Sequence, residues 1–347
     1  MSRPRRATFA AAVVATTVAA LSASTVGPAT AAAASSSASA QSVRLAVIPG
    51  GGLALYPQIV AADKRGFFRK DGVDVHRTDT GTSGDAAQLL ITGNADIATI
   101  TPDVAVQAIS KGADFVILAS TAKQAPYYLL SKDALSSPAA FKGKKLGVPQ
   151  TSGTATFIAK AALAKKGLPE GSYDLIVTGK APQRLAALSN GAVDATILPA
   201  PLNLAAERQG FHELLYAGNA IAAPGAVLVA TRSFVQGHRS AVVGFLKAFL
   251  QGGAWLSNPK NRARFISDVS NDSMGQGIET ADLQTTYNEF ILKRKVIPTV
   301  GIVRLGNLLN QMKRYHEIDS IPTLGGAVDN RYIVQAAKSL APKKKKK

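Results

Sequence analysis

Two short motifs each occur twice in this chain, in the same order and between the same kinds of segment. In the first, a β-branched run leads into Thr-Ser-Gly and then a helical pattern: Val73–Thr80 into Thr82-Ser83-Gly84, and Lys145–Pro149 into Thr151-Ser152-Gly153. In the second, a helical pattern ends in Gly-x-x-Asp before an apolar strand that finishes at proline: Gly93, Asp96 and Pro102, then Gly191, Asp194 and Pro199. Strand, helix and strand in alternation is the pattern of a parallel sheet covered by helices. The repeats lie farther apart than the roughly 20–50 residues of a stacked-repeat array. The duplication therefore predicts two similar α/β lobes.

The first half reads as strands Val43–Ile48, Val73–Thr80, Ile97–Ile100 and Phe115–Ala119, alternating with helices Leu55–Arg65, Asp85–Ile91 and Val104–Ser110. Those helices stop at Gly66, Gly93 and Gly112, where glycine permits the left-handed turn that closes a helix. The second half repeats the scheme with strands Lys145–Pro149, Leu175–Val177 and Ala195–Leu198, and helices Thr154–Lys166 and Pro182–Ser189. From Arg239 the pattern turns helical. Val242, Val243, Phe245, Leu246, Phe249, Leu250 and Trp255 form one broad apolar face that reads as core, and further helices follow at Thr280–Arg294 and Val303–His316.

The 347 residues suffice for about two domains, and 46% hydrophobic with 18% charged residues is a globular composition. The formal charge is +18, but Arg3, Arg5, Arg6 and the run Lys343–Lys347 carry much of it, leaving about +10 on the body. Cysteine is absent, which excludes disulfides, thiolate metal sites, cysteine nucleophiles and a lipidated cysteine anchor. The four histidines are scattered, so no metal site is expected. Residues 1–40 read as an export signal and an Ala/Ser linker: basic residues, an apolar stretch Phe9–Leu21 too short to span a bilayer, then Ala29-Thr30-Ala31 and Ala38-Ser39-Ala40 as cleavage patterns. The lysine tail at 343–347 reads as a solvated segment, and without interleaved aromatics it gives no nucleic-acid site.

A helix start leaves backbone N–H groups unpaired and carries about half a positive charge, so it attracts anions. Both Thr-Ser-Gly loops stand where a strand hands over to a helix, the edge at which open α/β sheets bind ligands. Serine and threonine also simply cap helices. The pairing of the loops across two halves tips the balance towards a ligand. Asp85 and Asp103 are candidates for a ligand ammonium. Neither glycine precedes a phosphate-loop lysine, since Asp85 follows Gly84 and Thr154 follows Gly153; no Gly-x-Ser-x-Gly or His-Glu-x-x-His occurs. The chain is therefore not expected to be an enzyme.

An ordered series of segments resembles the substrate-binding proteins of ABC importers for nitrate, taurine and alkanesulfonates, the NMT1/THI5-like group that also includes binders of thiamine pyrimidine precursors. The series runs through Val43–Gly52 into Tyr56-Pro57-Gln58-Ile59-Val60-Ala61-Ala62, Lys64-Arg65-Gly66-Phe67-Phe68, Asp71-Gly72-Val73-Asp74-Val75 and Gly93-Asn94-Ala95-Asp96-Ile97-Ala98. It continues in Phe141–Pro149 with Ser152-Gly153-Thr154, Ala186–Ala195 and Val328-Asp329-Asn330-Arg331-Tyr332.

The resemblance implies a bilobal, type II periplasmic-binding-protein-like α/β fold, with a mainly parallel sheet flanked by helices in each lobe. Lobe I would combine 43–124 with 223–342 and lobe II would span 125–222, joined by crossover strands near 121–127 and 222–227. It implies an exported, periplasmic or extracellular protein, at most peripheral at the cell surface. That protein would be monomeric, without a cofactor, and would serve a permease and its ATPase by capturing a small anionic or zwitterionic, taurine-like organosulfonate. Heterocycle binding or a cysteine-free enzyme on the same scaffold are the alternatives. The implied cleft residues are Gly51, Gly52, Tyr56, Thr82, Ser83, Gly84, Thr101, Asp103, Gln150, Thr151, Ser152, Gly153, Thr154, Pro199 and Asn203. Leu198-Pro199-Ala200-Pro201 stands where many members carry an aromatic-acid-Pro turn, and Arg184 is a secondary candidate for the cleft.

Overall fold

Among the described residues ten strands form two five-stranded sheets, and the chain leaves the first sheet before completing it. The computed structural model describes residues 39–49, 52–122, 124–133, 137–221, 223–293, 302–324 and 326–341. The expected export segment up to 38, Gly51 and the lysine tail lie outside them.

In chain order the strands are β1 (Gln41–Val47), β2 (Val73–Asp79), β3 (Ile97–Ile100), β4 (Phe115–Ser120), β5 (Tyr127–Ser131), β6 (Lys145–Val148), β7 (Asp174–Val177), β8 (Ala195–Pro199), β9 (His212–Tyr216) and β10 (Val227–Thr231). The sheet orders are β2-β1-β3-β10-β4 and β7-β6-β8-β5-β9. Each sheet is parallel except for one strand, β10 in the first and β5 in the second. Those two strands are the ones that arrive from the opposite sheet.

The two connections are hydrogen-bonded to each other, Thr121 N–H to the Ala226 carbonyl at 3.0 Å and Gly225 N–H to the Ala122 carbonyl at 3.1 Å. Expected as strands, they are linkers, and the strands begin only at Tyr127 and Val227. Pro126 and Pro224 lack the N–H that a strand interior must donate.

The repeated Gly-x-x-Asp does the same work in both sheets. Asp96 accepts the Arg44 N–H at 2.8 Å and returns its own N–H to the Arg44 carbonyl at 2.8 Å. Asp194 accepts the Lys145 N–H at 2.8 Å and returns its N–H to the Lys145 carbonyl at 3.0 Å. Each aspartate thus sets the register of its sheet's central pair. The expected helix Leu55–Arg65 is broken at Tyr56, with short helix Gly52–Leu55 before it and Pro57–Lys64 after it. Pro57 opens the second piece because the first helical position needs no N–H. Helix Thr280–Thr286 continues into wider turns over Tyr287–Lys293.

Helix Arg239–Leu256 lays Val242, Phe245, Leu246 and Phe249, all fully buried, against the first sheet's helices. The late segment returns to that sheet, where Ile117 and Val328 pair. It also touches the second-sheet half. Tyr315 stacks on Phe157 at 5.6 Å between centroids, Phe290 meets Tyr128 edge-on at 6.3 Å, and Arg208 pairs with the buried Asp282.

Candidate functional site

Between the carboxyl ends of the two sheets lies a cavity of about 710 Å³. Its walls come from both halves of the chain. Tyr56, Thr82, Ser83, Gly84, Thr101 and Asp103 line it from the first sheet's side, and Gln150, Ser152, Gly153, Thr154 and Pro199 from the second's. The structure thus brings together eleven of the fifteen residues expected on the cleft.

Three others stand off the wall. Gly52 is buried in its short helix beneath the Tyr56 ring, where a Cβ would lie 2.7 Å from a ring carbon. Thr151 is exposed. Asn203 is buried in helix Leu202–Arg208 and donates its amide to Glu207 at 3.3 Å.

The two Thr-Ser-Gly loops do different things. In the first, Thr82 caps helix Ser83–Ile91 by accepting the Asp85 N–H at 3.1 Å, and the Ser83 hydroxyl accepts the Thr101 N–H at 3.0 Å. In the second, Gly153 itself begins helix Thr154–Ala164 with φ +94 and no side-chain cap. The group that meets this helix start comes from the other half: the Thr154 hydroxyl donates to the Asp103 carboxylate. The other Asp103 oxygen lies 2.9 Å from where a Cβ on residue 153 would stand. Glycine is required there by both the positive φ and the close approach.

The sequence reading underrated or missed three residues on the wall. Arg184 is 4% exposed, on the buried stripe of helix Ala181–Ser189 with Ala181, Ala187 and Leu188. Its Nε donates to the Ile197 carbonyl and its Nη1 to the Gly179 carbonyl, both at 2.7 Å. No carboxylate among the described residues pairs with it, and burial pushes its pKa down to about 10. An arginine at the apolar positions of an amphipathic helix was the available signal.

Tyr127, at the start of β5, faces the same cavity, and burial raises its pKa, with Arg184 opposing and Asp103 adding to the rise. Its phenol is therefore a neutral donor at physiological pH. Tyr56 is also buried, which holds its pKa up, but its hydroxyl is already engaged with the Ile48 backbone. It supplies a ring face rather than a free donor. Lys180, at the mouth, reaches over Gly81 of the other half, where a Cβ would sit 2.4 Å from its Nζ. Among the described residues no group of His, Asp or Glu is arranged to hold a metal, and no helix is long and apolar enough to cross a membrane.

Two sheets exchanging strands around a shared cavity define a periplasmic-binding-protein fold, and solved structures agree. The chain is similar to the periplasmic nitrate-binding protein NrtA from Synechocystis PCC 6803, with a TM-score of 0.73 and 16% identity over 86% of this chain and 89% of that one. It is similar to the zinc-bound ligand-binding component of an ABC-type import system from Staphylococcus aureus, with a TM-score of 0.71 and 14% identity over 85% and 99%. It is also similar to the alkanesulfonate-binding protein SsuA from Xanthomonas axonopodis pv. citri bound to MOPS, with a TM-score of 0.68 and 18% identity over 84% and 99%. The sequence profile of the NMT1/THI5-like proteins matches residues 56–262, and the chain belongs to that family. A search of curated proteins finds no match.

Proposed function

We propose that this chain is the solute-binding component of an ABC importer, working outside the cytoplasm and delivering its solute to a permease and ATPase. In this reading the segments up to residue 124 and after residue 222 form one lobe, the intervening segment forms the other, and the two connections between sheets are the hinge. The solute is a small anionic or zwitterionic molecule of the organosulfonate type, gripped between the lobes. The residues proposed to hold it are the eleven on the wall together with Arg184 and Tyr127.

The observation that carries the anionic reading is Arg184. Burying a guanidinium costs several kcal/mol unless a counter-charge joins it, and two carbonyl oxygens supply dipoles but no charge. An acid entering the cavity would complete the set. Charge-assisted hydrogen bonds contribute roughly 1.5–3 kcal/mol each. Three or four, with apolar contact, reach the about −8.2 kcal/mol of a micromolar complex.

Calorimetry against taurine, alkanesulfonates, MOPS, nitrate and a neutral aminopyrimidine tests the reading. Micromolar binding of an acid supports it. Binding of the neutral heterocycle alone would overturn the anionic assignment.

A further inference from the structure

Resting on the anionic reading of the cavity, we infer that Asp103 imposes a second requirement: the solute carries a cationic amino group as well as its acid. The class is a small zwitterion, and a plain anion of the same size is rejected.

Asp103 is 1% exposed and stands on the cavity wall in the first turn of helix Pro102–Ser110. A carboxylate offers about four acceptor positions. Among the described residues one side chain donates to it, the Thr154 hydroxyl, and none forms an ion pair with it. Its second oxygen rests beside Gly153, which presents no side chain. The cavity therefore holds two buried groups of opposite sign, Arg184 and Asp103, neither of which forms an ion pair with another side chain among the described residues. Both are near enough to Tyr127 to act on its phenol in opposite senses.

A solute with only a negative charge would answer Arg184 and be repelled by Asp103 in surroundings where like charges cannot share a site cheaply. A solute with both charges answers both. Asp103 also occupies the second helix start, where the sequence suggested a ligand anion. That leaves Arg184 and the first loop for the acid, and Asp103 for the amine.

The test compares two probes of nearly equal shape, 2-aminoethanesulfonate and 1-propanesulfonate, by calorimetry on the full chain. The wild type is expected to favour the amino compound by about tenfold or more. Asp103→Asn should abolish that preference and tighten 1-propanesulfonate. Thr154→Val removes the hydrogen bond but keeps the carboxylate, so it should retain the preference whatever it does to absolute affinity. A purely structural Asp103 would lower both affinities together and leave their ratio unmoved. Equal binding of the two probes by the wild type, or an unchanged ratio in Asp103→Asn, overturns the inference while the anionic reading stands. If neither sulfonate binds and the neutral aminopyrimidine does, both fall.

Discussion

At the scale of single residues, Arg184 concentrates the chemistry. Replacing it with Met removes the charge and leaves the Gly179 and Ile197 carbonyls without their donors. Anion affinity should fall about 10- to 100-fold, with a stability loss of about 1–3 kcal/mol. Arg184→Lys keeps the charge and should recover part of the affinity. Calorimetry and thermal denaturation read the two effects separately.

The pH dependence follows from the same burial. The folded-state pKa of about 10 lies below the ordinary 12.5, so between those values the unfolded chain keeps a proton that the native chain has released. Native stability from this group therefore rises with pH through that window, because the cost of a buried cation is relieved. The proposed anion binding should run the other way and weaken as pH rises through that window, where the guanidinium would lose its charge. The wild-type profile minus that of Arg184→Met isolates this titration from the lysines and tyrosines that share the range. A flat difference between pH 9 and 11 would show that Arg184 holds its proton through that range, and its part in anion binding then rests on the affinity lost in Arg184→Met.

At the scale of elements, the loop Gln150–Thr154 and the helix after it need glycine at residue 153. Gly153→Ala forces a positive φ on a side chain and pushes its Cβ to 2.7 Å from Gln150 Nε2 and 2.9 Å from Asp103 Oδ2. The strained backbone should cost about 1 kcal/mol or more of stability. The displaced Asp103 should weaken solute binding at least severalfold, seen as a lower melting temperature together with a raised Kd. An alanine variant with wild-type affinity would remove this loop from the grip.

Much of this scale was legible in the sequence, since alternating β-branched runs and glycine-ended helices marked seven of the strands to within a residue or two. The strands that pair across long separations were less visible. β10 sits between β3 and β4 though more than a hundred residues separate it from either, and β9 is a half-exposed edge strand whose residues His212 and Glu213 hide the alternation. The repeated Gly-x-x-Asp is visible as a repeat, but that it fixes register depends on Arg44 and Lys145, which lie about fifty residues upstream. The site was partly legible for a related reason. Loop glycines and hydroxyls announce themselves locally, whereas Arg184 looks like any helical arginine until the stripe it shares with Ala181 and Leu188 is known to be buried.

At the scale of the whole molecule, the segment after Thr280 bears on the proposed closure of the cavity. It touches the second-sheet half through Asp282, Phe290 and Tyr315, on elements that otherwise accompany the first sheet. Tyr315 lies flat on Phe157, with an interplanar angle of 5°, and the Lys160 ammonium is 4.5 Å from its ring centre. Stacked rings contribute about 0.5–1.5 kcal/mol beyond their buried area, and the buried Lys160, paired with Glu170, adds a cation–π contact. In the proposed hinged reading this contact breaks when the halves part, so it favours the closed form whether or not solute is present.

Apparent affinity scales with the fraction of molecules already competent to bind. Tyr315→Ala should therefore weaken solute binding by about 3- to 10-fold without touching the cavity wall. In solution scattering the solute-free variant should have a larger radius of gyration than the wild type, and saturating solute should bring the two together. Weaker binding with unchanged solute-free dimensions would show that Tyr315 supports the fold of its own half and has no part in closure.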